Sequence, residues 1–456
     1  MSGGIRMNIA IIGGSFAGIS CAMEAKKLYP TATVYVFDRQ STVGFIPSGM
    51  NLTLNEEIED LTEAYFVSEK EIRGAGIKLF LDVEVTAVDP TSKTITARRN
   101  DLSDEGDEIF EVDYDKLVLA MGSQQFSPLV KDWQHPQIMT TKELQLAANS
   151  LVRLEQAQEI AVIGGGQIGL EATEALVNAN KQVTLIEGSS ALASRYFDAE
   201  FVSPILEAIE LVGVDVLLNE SVVEMSGTPL KVTTTERELE PDMVILGMNL
   251  LPQSGIVADI LDLNDDATII VDDYLETSQT DVFAIGDLVQ TPFANQDRNA
   301  YVALVNNAVR SGQIAAFNLL EKRIPHQQTL RLIGSRIFSQ YMVSVGLTEA
   351  EAKQAYLVAT TTVVADYSIT RPEPVELKIV TEAETGLILG AQLRSEENIL
   401  PMADTLALAI SGRLTDNDLA FQDRLYYPGI TPTQPVINLA ALRSLENRLR
   451  HNNSDK

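Results

Sequence analysis

The sequence predicts an α/β protein with two Rossmann-like dinucleotide-binding domains and a C-terminal α+β domain. Three observations lead there. Two strand–glycine–helix–strand units stand about 150 residues apart: NIAIIGG, SFAGISCAMEAKKLY, ATVYVFDR, and then EIAVIGG, GQIGLEATEALVNAN, KQVTLIEG. In each, a continuous β-branched run feeds an amphipathic helix, the pattern of parallel strands buried on both faces. From about residue 326 the pattern changes to strands and hairpins (TTTVVADYSI, ELKIVTE, ILGAQL), then a helix near 398–412, which reads as an α+β unit.

A chain of 456 residues exceeds what one hydrophobic core serves, so two or three domains are expected. Apolar residues at 45% and charged residues at 21% fit a soluble globular protein. The net charge of -30 argues against nucleic acid, whose recognition needs clustered Lys and Arg, and against anionic membrane surfaces. No apolar run reaches the roughly 18 residues of a membrane span, and the N-terminus lacks a signal-peptide pattern, so a cytoplasmic location is expected. The leader MSGGIR precedes Met7 and the first strand, and reads as an addition or an alternative start. The single cysteine, Cys21, excludes an intrachain disulfide; on the run GISCAMEA it reads as a small buried helix residue.

Between the two units, residues 77–121 carry alternating strands (IKLFLDVEVTAVD, KTITARR, EIFEVDYDKLVLAMG), with an acidic, solvated hairpin tip at 100–111. After the second unit, short strands (VDVLLNE, VEMSG, LKVTTTE) lead into DMVILGMNLLP. The segment YLETSQTDVFAIGD (274–287) ends in a further strand, and NAYVALVNNAVRSGQIAAFNLLE (299–321) is expected to be one long helix.

The glycines carry the chemistry. In the first unit Gly13, Ser15 and Gly18 form the turn, and Asp38 ends the strand VYVFD. A pyrophosphate fits over the N-terminus of the following helix, where unpaired N–H groups and the helix dipole favour an anion. The carboxylate suits the ribose hydroxyls of an adenosine. In the second unit Gly164, Gly166 and Gly169 are intact and Glu187 closes VTLIE. A carboxylate there accepts from a free 2′-hydroxyl and repels a 2′-phosphate, and no Arg follows before Arg195, so NADH is expected over NADPH. Two more segments point to FAD in the first unit. YDKLVLAMGS, with Gly122 at its turn, resembles the strand on which a chain leaves an FAD domain, and TSQTDVFAIGD resembles the segment whose aspartate, here Asp287, holds the ribitol.

With these motifs in order, the chain resembles the pyridine nucleotide–disulfide oxidoreductase superfamily, most nearly its branch of NADH oxidases, NADH peroxidases and coenzyme A-disulfide reductases. The likeness runs over nearly the whole chain after Met7, through DRQSTVGFIPSGMNL, NAVRSGQIAAFNL, VGLTEAEAK and YYPGITPTQPVINLAA. The resemblance implies FAD and NAD(H) as cofactors. It implies an FAD-binding domain of residues 7–118 and 255–325, an NAD(H)-binding domain of 119–254, and an interface domain of 326–456 that builds a homodimer. It further implies Arg39 and Val85 at the FAD, Tyr196 and Gly247 at the NAD, and Glu171 near the nicotinamide, a position that could equally be a solvated helix residue. Tyr426 and Tyr427 would lie near the partner's flavin or pack the interface.

The departures matter more. Members of this branch carry one redox cysteine beside the flavin in a motif like SFLSCG; here GFIPSG puts Ser48 at that place. A serine hydroxyl neither cycles through thiolate and sulfenic acid nor forms a mixed disulfide. It is left to hydrogen-bond the flavin edge or to act as a spacer. The histidine of the first turn in peroxidase and oxidase members is Phe16 here, and the aromatic that covers the flavin is Gln167. His135, His326 and His451 fall outside the recognisable motifs. The expectation is an FAD-dependent NADH oxidoreductase without a thiol centre, passing a hydride from NADH to FAD and then electrons to oxygen, as hydrogen peroxide, or to another small-molecule acceptor. The alternative is a non-catalytic FAD- and NAD-binding paralogue acting as a redox-responsive binding protein. Substitution by Cys21 is disfavoured, since it lies three residues past Gly18 on the pyrophosphate helix.

Overall fold

The computed structural model describes residues 7–99, 108–125, 129, 135–139, 141–247, 250–427, 429 and 431–454. The leader at 1–6 and most of the acidic tip, residues 100–107, lie outside the described residues. The first unit begins with β1 (Asn8–Ile12), α1 (Phe16–Leu28) and β2 (Thr33–Phe37). β1 and β2 pair in parallel with Ile9 opposite Val34 and Ile11 opposite Val36, and all four side chains are buried, as a strand covered on both faces requires. Two short helices follow, α2 (Gly49–Leu54) and α3 (Glu69–Gly74), the second started by a reciprocal capping box of Ser68 and Glu71. β3 (Lys78–Phe80) joins β2. An antiparallel excursion, β4 (Val83–Asp89), β5 (Thr94–Arg99) and β6 (Glu108–Asp113), precedes β7 (Lys116–Leu119), which pairs in parallel with β1.

β8 (Ser123–Gln125) leaves this sheet. β9 (Ile138–Met139) and α4 (Leu144–Leu154) then lead to the second glycine unit, β10 (Glu159–Ile163), α5 (Gln167–Asn178) and β11 (Gln182–Glu187). α6 (Ala199–Leu211) and β12 (Asp215–Leu218) continue it, an antiparallel trio β13 (Val222–Ser226), β14 (Lys231–Thr234) and β15 (Glu238–Leu239) projects from it, and β16 (Met243–Leu246) completes it. The strand order is β12-β11-β10-β16-β9, parallel throughout. β17 (Leu250–Pro252) pairs antiparallel with β8, so the two strands linking the sheets run side by side.

β18 (Val282–Ala284) returns to the first sheet beside β7, giving the order β18-β7-β1-β2-β3. The expected helix over 299–321 is shorter, α7 (Val305–Asn318). Upstream, β19 (Thr291–Pro292) pairs with β20 (Asn299–Ala300), and Leu304 is extended, so the helix cannot begin earlier. Downstream, the Asn318 side chain accepts from the N–H groups of Arg323 and Ile324 and donates to the carbonyls of Tyr274 and Ile324, which turns the chain away.

The third unit is an antiparallel sheet of β21 (Ile333–Ile337), β22 (Gln340–Gly346), β23 (Val358–Asp366), β24 (Pro374–Glu382) and β25 (Ile388–Ser395), in the order β21-β22-β25-β24-β23, with α8 (Glu349–Ala352) after β22. α9 (Leu400–Ser411) forms where a helix is expected. α10 (Asp416–Ala420) and α11 (Val436–Ser454) form where the sequence gives no expected helix, and the buried Asp416 joins them by pairing with Arg448 at 2.6 Å. Among the described residues no helix is long and apolar enough to cross a membrane.

α1 and α7 pack closely because small residues face each other. A Cβ on Gly312 would stand 2.3 Å from the Ala17 carbonyl oxygen. Gly312→Val is therefore expected to lower stability by about 1–3 kcal/mol, the usual scale of overpacking, read as a fall in Tm.

Candidate functional site

The two glycine turns share one construction. Gly13 takes φ +109° and Gly164 φ +101°, and a Cβ on Gly18 or Gly169 would stand 1.9 or 1.8 Å from the carbonyl oxygen of Gly13 or Gly164. Only glycine lets each helix start that close to its strand. Neither helix is capped by a side chain, so the N–H groups of its first turn remain available to an anion. The carboxylate at the end of the next strand folds back onto the turn. Gly14 N–H donates to Asp38 Oδ2 at 2.6 Å, and Gly165 N–H to Glu187 Oε2 at 2.7 Å. Burial pushes the Asp38 carboxyl above its ordinary range, against N–H bonds from Gln40 and Gly14. A Cβ on Gly166 would meet nothing within 4 Å, which is why Ser15 is accepted at the matching place in the first turn.

A cavity of about 760 Å³ opens from the first turn. Gly13, Ser15, Asp38, Arg39, Gly122 and Asp287 line it, together with Ser48 and Glu171. Gly18 and Val85 do not: the first is buried under its turn and the second in the core. Gly164, Gly166, Gly169, Glu187, Tyr196 and Gly247 are not on that wall. Gly247 touches the second turn, since a Cβ there would stand 2.8 Å from the Gly169 Cα, and Ala193 N–H, three residues before Tyr196, donates to the Gly165 carbonyl at 2.8 Å. The cavity's size and open helix N-terminus suit a dinucleotide.

The wall also holds residues that sequence reasoning missed. Lys142 Nζ donates to Ser123 Oγ at 2.6 Å, Ser123 Oγ donates to Asp287 Oδ2 at 2.6 Å, and Lys142 lies 3.6 Å from Asp287. Burial lowers the Lys142 pKa, and the Asp287 carboxylate partly restores it. Beside it Glu143 pairs with Arg39, so residues 142–143 tie the start of α4 to the first unit. Nothing in TTKEL marks this; only the fold brings it to Asp287. His135 also lines the cavity, whereas His326 does not, and burial with nearby Arg310 lowers the latter to about 4. The His451 side chain lies outside the described residues.

Of the three departures from the family pattern, Ser48 and Phe16 line this cavity, and Gln167 is bonded to its wall residue Glu171. Ser48 precedes α2 with its hydroxyl making no capping bond. Phe16 lines the cavity and stacks on Phe66 with centroids 4.3 Å apart. Gln167 Nε2 donates to Glu171 Oε1 at 3.0 Å and to Ser335 Oγ at 2.7 Å, and Ser335 Oγ donates to Glu171 at 2.6 Å. Glu171 is thus a tied wall residue and not a free solvated one. Cys21 is fully buried, its thiol pushed up to about 12 by burial, and it is not on the wall. Tyr426 and Tyr427 are exposed beside Leu425, which is 85% exposed.

The family model described as pyridine nucleotide-disulphide oxidoreductase matches residues 7–312, and that described as its dimerisation domain matches 333–434. The chain is 30% identical to the NADH oxidase of Enterococcus faecalis over 451 residues, covering 97% of this chain and 100% of that protein. It is 29% identical to the NAD(P)H sulfur oxidoreductase (CoA-dependent) of Pyrococcus abyssi, covering 96% and 98%. It superposes with a TM-score of 0.91 on the water-forming NADH oxidase from Lactobacillus brevis bound to NADH, at 29% identity, covering 98% of this chain and 100% of that one.

The two turns should fail separately. Gly18→Val drives a side chain into the Gly13 carbonyl and is expected to abolish dinucleotide binding at the first turn only; Gly169→Val does the same at the second. Measuring both nucleotides on each variant checks this, and a variant losing both would contradict it.

Proposed function

The chain belongs to the pyridine nucleotide-disulphide oxidoreductase family, and from that premise we propose that it is an FAD-dependent NADH oxidoreductase that works without a thiol centre. FAD, when bound, supplies the hydride-accepting ring system and a path for the electron pair to an acceptor. The chain's part is binding and positioning. The N-terminus of α1 with Gly13, Ser15 and Gly18 takes the FAD pyrophosphate, Asp38 and Arg39 the ribose end, and Gly122 and Asp287 the ribitol side, while Val85, buried in the core, can only back the adenine end from behind. The N-terminus of α5 with Gly164, Gly166 and Gly169, together with Glu187, Tyr196 and Gly247, takes NADH. Glu171, tied by Gln167 and Ser335, stands near the nicotinamide. In this reading residues 7–118 and 255–325 are the FAD domain, 119–254 the NAD(H) domain, and 326–456 the interface domain of a cytoplasmic homodimer.

One observation carries the thiol-free reading. The cavity wall presents Ser48 and Phe16 where related enzymes hold cysteine and histidine, and the chain's single thiol, Cys21, is buried away from it. Reducing oxygen to water takes four electrons, whereas one NADH brings two. Without a sulfur to carry a second stage, NADH, a proton and oxygen give NAD⁺ and hydrogen peroxide; another small-molecule acceptor would take the same pair. The complete second turn, with Glu187 in place, favours this over a non-catalytic role.

Two outcomes are expected. NADH should exceed NADPH by at least about tenfold in kcat/KM, about 1.4 kcal/mol, because the Glu187 carboxylate is held by Gly165 and Ser189 where a 2′-phosphate would approach. Glu187→Ala should narrow that ratio; equal use of both by the wild type would remove the assignment. Anaerobic dithionite titration should consume two electrons per FAD, and Ser48→Cys should add a second pair. Four electrons in the wild type would reveal another redox group.

A further inference from the structure

The loop between β11 and α6, residues 188–198, is fastened at both ends. At its start Ser189 donates its N–H and hydroxyl to Glu187 at 2.7 and 2.6 Å, and Ala193 N–H reaches the Gly165 carbonyl. Its far end is gripped by the third unit. Ser344 Oγ donates to the Tyr196 carbonyl at 2.5 Å, Asp198 N–H donates to Gln392 Oε1 at 2.9 Å, and Gln392 Nε2 returns to Asp198 Oδ2 at 2.7 Å.

At the centre of that grip lies the Lys378 side chain, 3% exposed on β24. Its ammonium reaches Asp198 at 2.8 Å, Glu200 at 2.5 Å and Glu349 at 2.7 Å. Burial alone would lower its pKa, but these three carboxylates carry it above the ordinary lysine value. The carboxylate oxygens lie within 4.8 Å of one another, so without a cation between them they repel. The ammonium depends on these partners, since a buried charge stripped of them is strongly unfavourable, whereas Glu200 reaches it from the surface. Asp198 and Glu200 begin α6, Glu349 begins α8 and Lys378 is on the third unit's sheet, so the contact spans two units.

We propose that Lys378 is a positioning residue for the nicotinamide nucleotide: from the third unit it holds the Asp198 end of the 188–198 loop, so that Tyr196 and Glu187 meet NADH already arranged. This rests on the assignment of NADH to the second glycine turn. When the loop is held in the competent arrangement only a fraction of the time, apparent affinity falls by that fraction. The electron-transfer geometry in the loaded complex is unaffected, since Lys378 does not line the cavity.

Stopped-flow reduction of the FAD-loaded protein by NADH separates the two quantities. Lys378→Met is expected to raise the apparent Kd for NADH about tenfold, to change the limiting reduction rate by less than about twofold, and to leave the FAD content intact. Lys378→Arg should restore most of the affinity. An unchanged Kd in Lys378→Met, or a loss carried entirely by the limiting rate, overturns the proposal. If Lys378→Met does not accumulate as a folded flavoprotein, Gln392→Leu keeps the ammonium and removes only the Asp198 brace. It should weaken NADH about threefold, and wild-type affinity there overturns the proposal equally. A wild-type flavin that NADH fails to reduce overturns the functional reading and this role with it, whereas a normal wild type with an unaffected variant overturns the role alone.

Discussion

The contact between a glycine Cα and a carbonyl oxygen five residues earlier governs how this molecule presents its chemistry. Gly18 rests on the Gly13 carbonyl and Gly169 on that of Gly164, at separations that a methyl group could not share. Because of that contact, each helix begins at the carboxyl end of its strand, where open α/β sheets take their ligands. The acid at the end of the neighbouring strand then reaches the turn's own N–H group, at 2.6 Å for Asp38 and 2.7 Å for Glu187. Turn, helix start and carboxylate become one rigid piece. The protein builds that piece twice, with Ser15 replacing a glycine at the one position where a side chain meets open space.

Between these pieces the chain uses its scarce cations. It holds 34 Lys and Arg against 64 Asp and Glu, and several of the buried or half-buried ones lie in the seams between units. Lys142 comes from the segment before α4 to Ser123 and Asp287. Arg331 pairs bidentately with Glu351 and lies 5.5 Å from the centre of the Tyr196 ring. Lys378 gathers three carboxylates from two units. A net charge of -30 favours separation of such units by repulsion, and a fixed cation in each seam opposes it where water is excluded and screening is weak.

How much of this can be read from sequence depends on how local the cause is. The glycine turns, Asp38 and Glu187 are legible because strand, turn, helix and acid follow one another within one βαβ stretch. The strands of the third unit are legible from their alternation. Lys142, Ser123, Lys378 and Gln392 are not, because each acquires its role from a residue more than fifteen positions away in another element. The helix expected over 299–321 is shorter for a similar reason: pairing with Thr291–Pro292 and the side chain of Asn318 override a run that reads as continuous helix. α11 carried its signal in VINLAALRSL, whose apolar residues recur at helical spacing.

The three departures from the related enzymes have a common structural place. Ser48 is the residue before α2, Phe16 the first of α1, and Gln167 the first of α5. None of them is fully buried, and all three stand at helix starts, Phe16 and Ser48 on the cavity wall and Gln167 turned to Glu171 and Ser335. Exchanging such a residue alters what meets the cofactor while costing the core almost nothing. That explains how a chain can keep a TM-score of 0.91 with a water-forming oxidase and still present a wall without a thiol. Here the replacements have acquired partners of their own: Phe16 stacks on Phe66, and Gln167 joins Glu171 and Ser335 across to the third unit. A thiol placed at position 48 would therefore add one atom, while the contacts of Phe16 with Phe66 and of Gln167 with Glu171 and Ser335 would stay as they are.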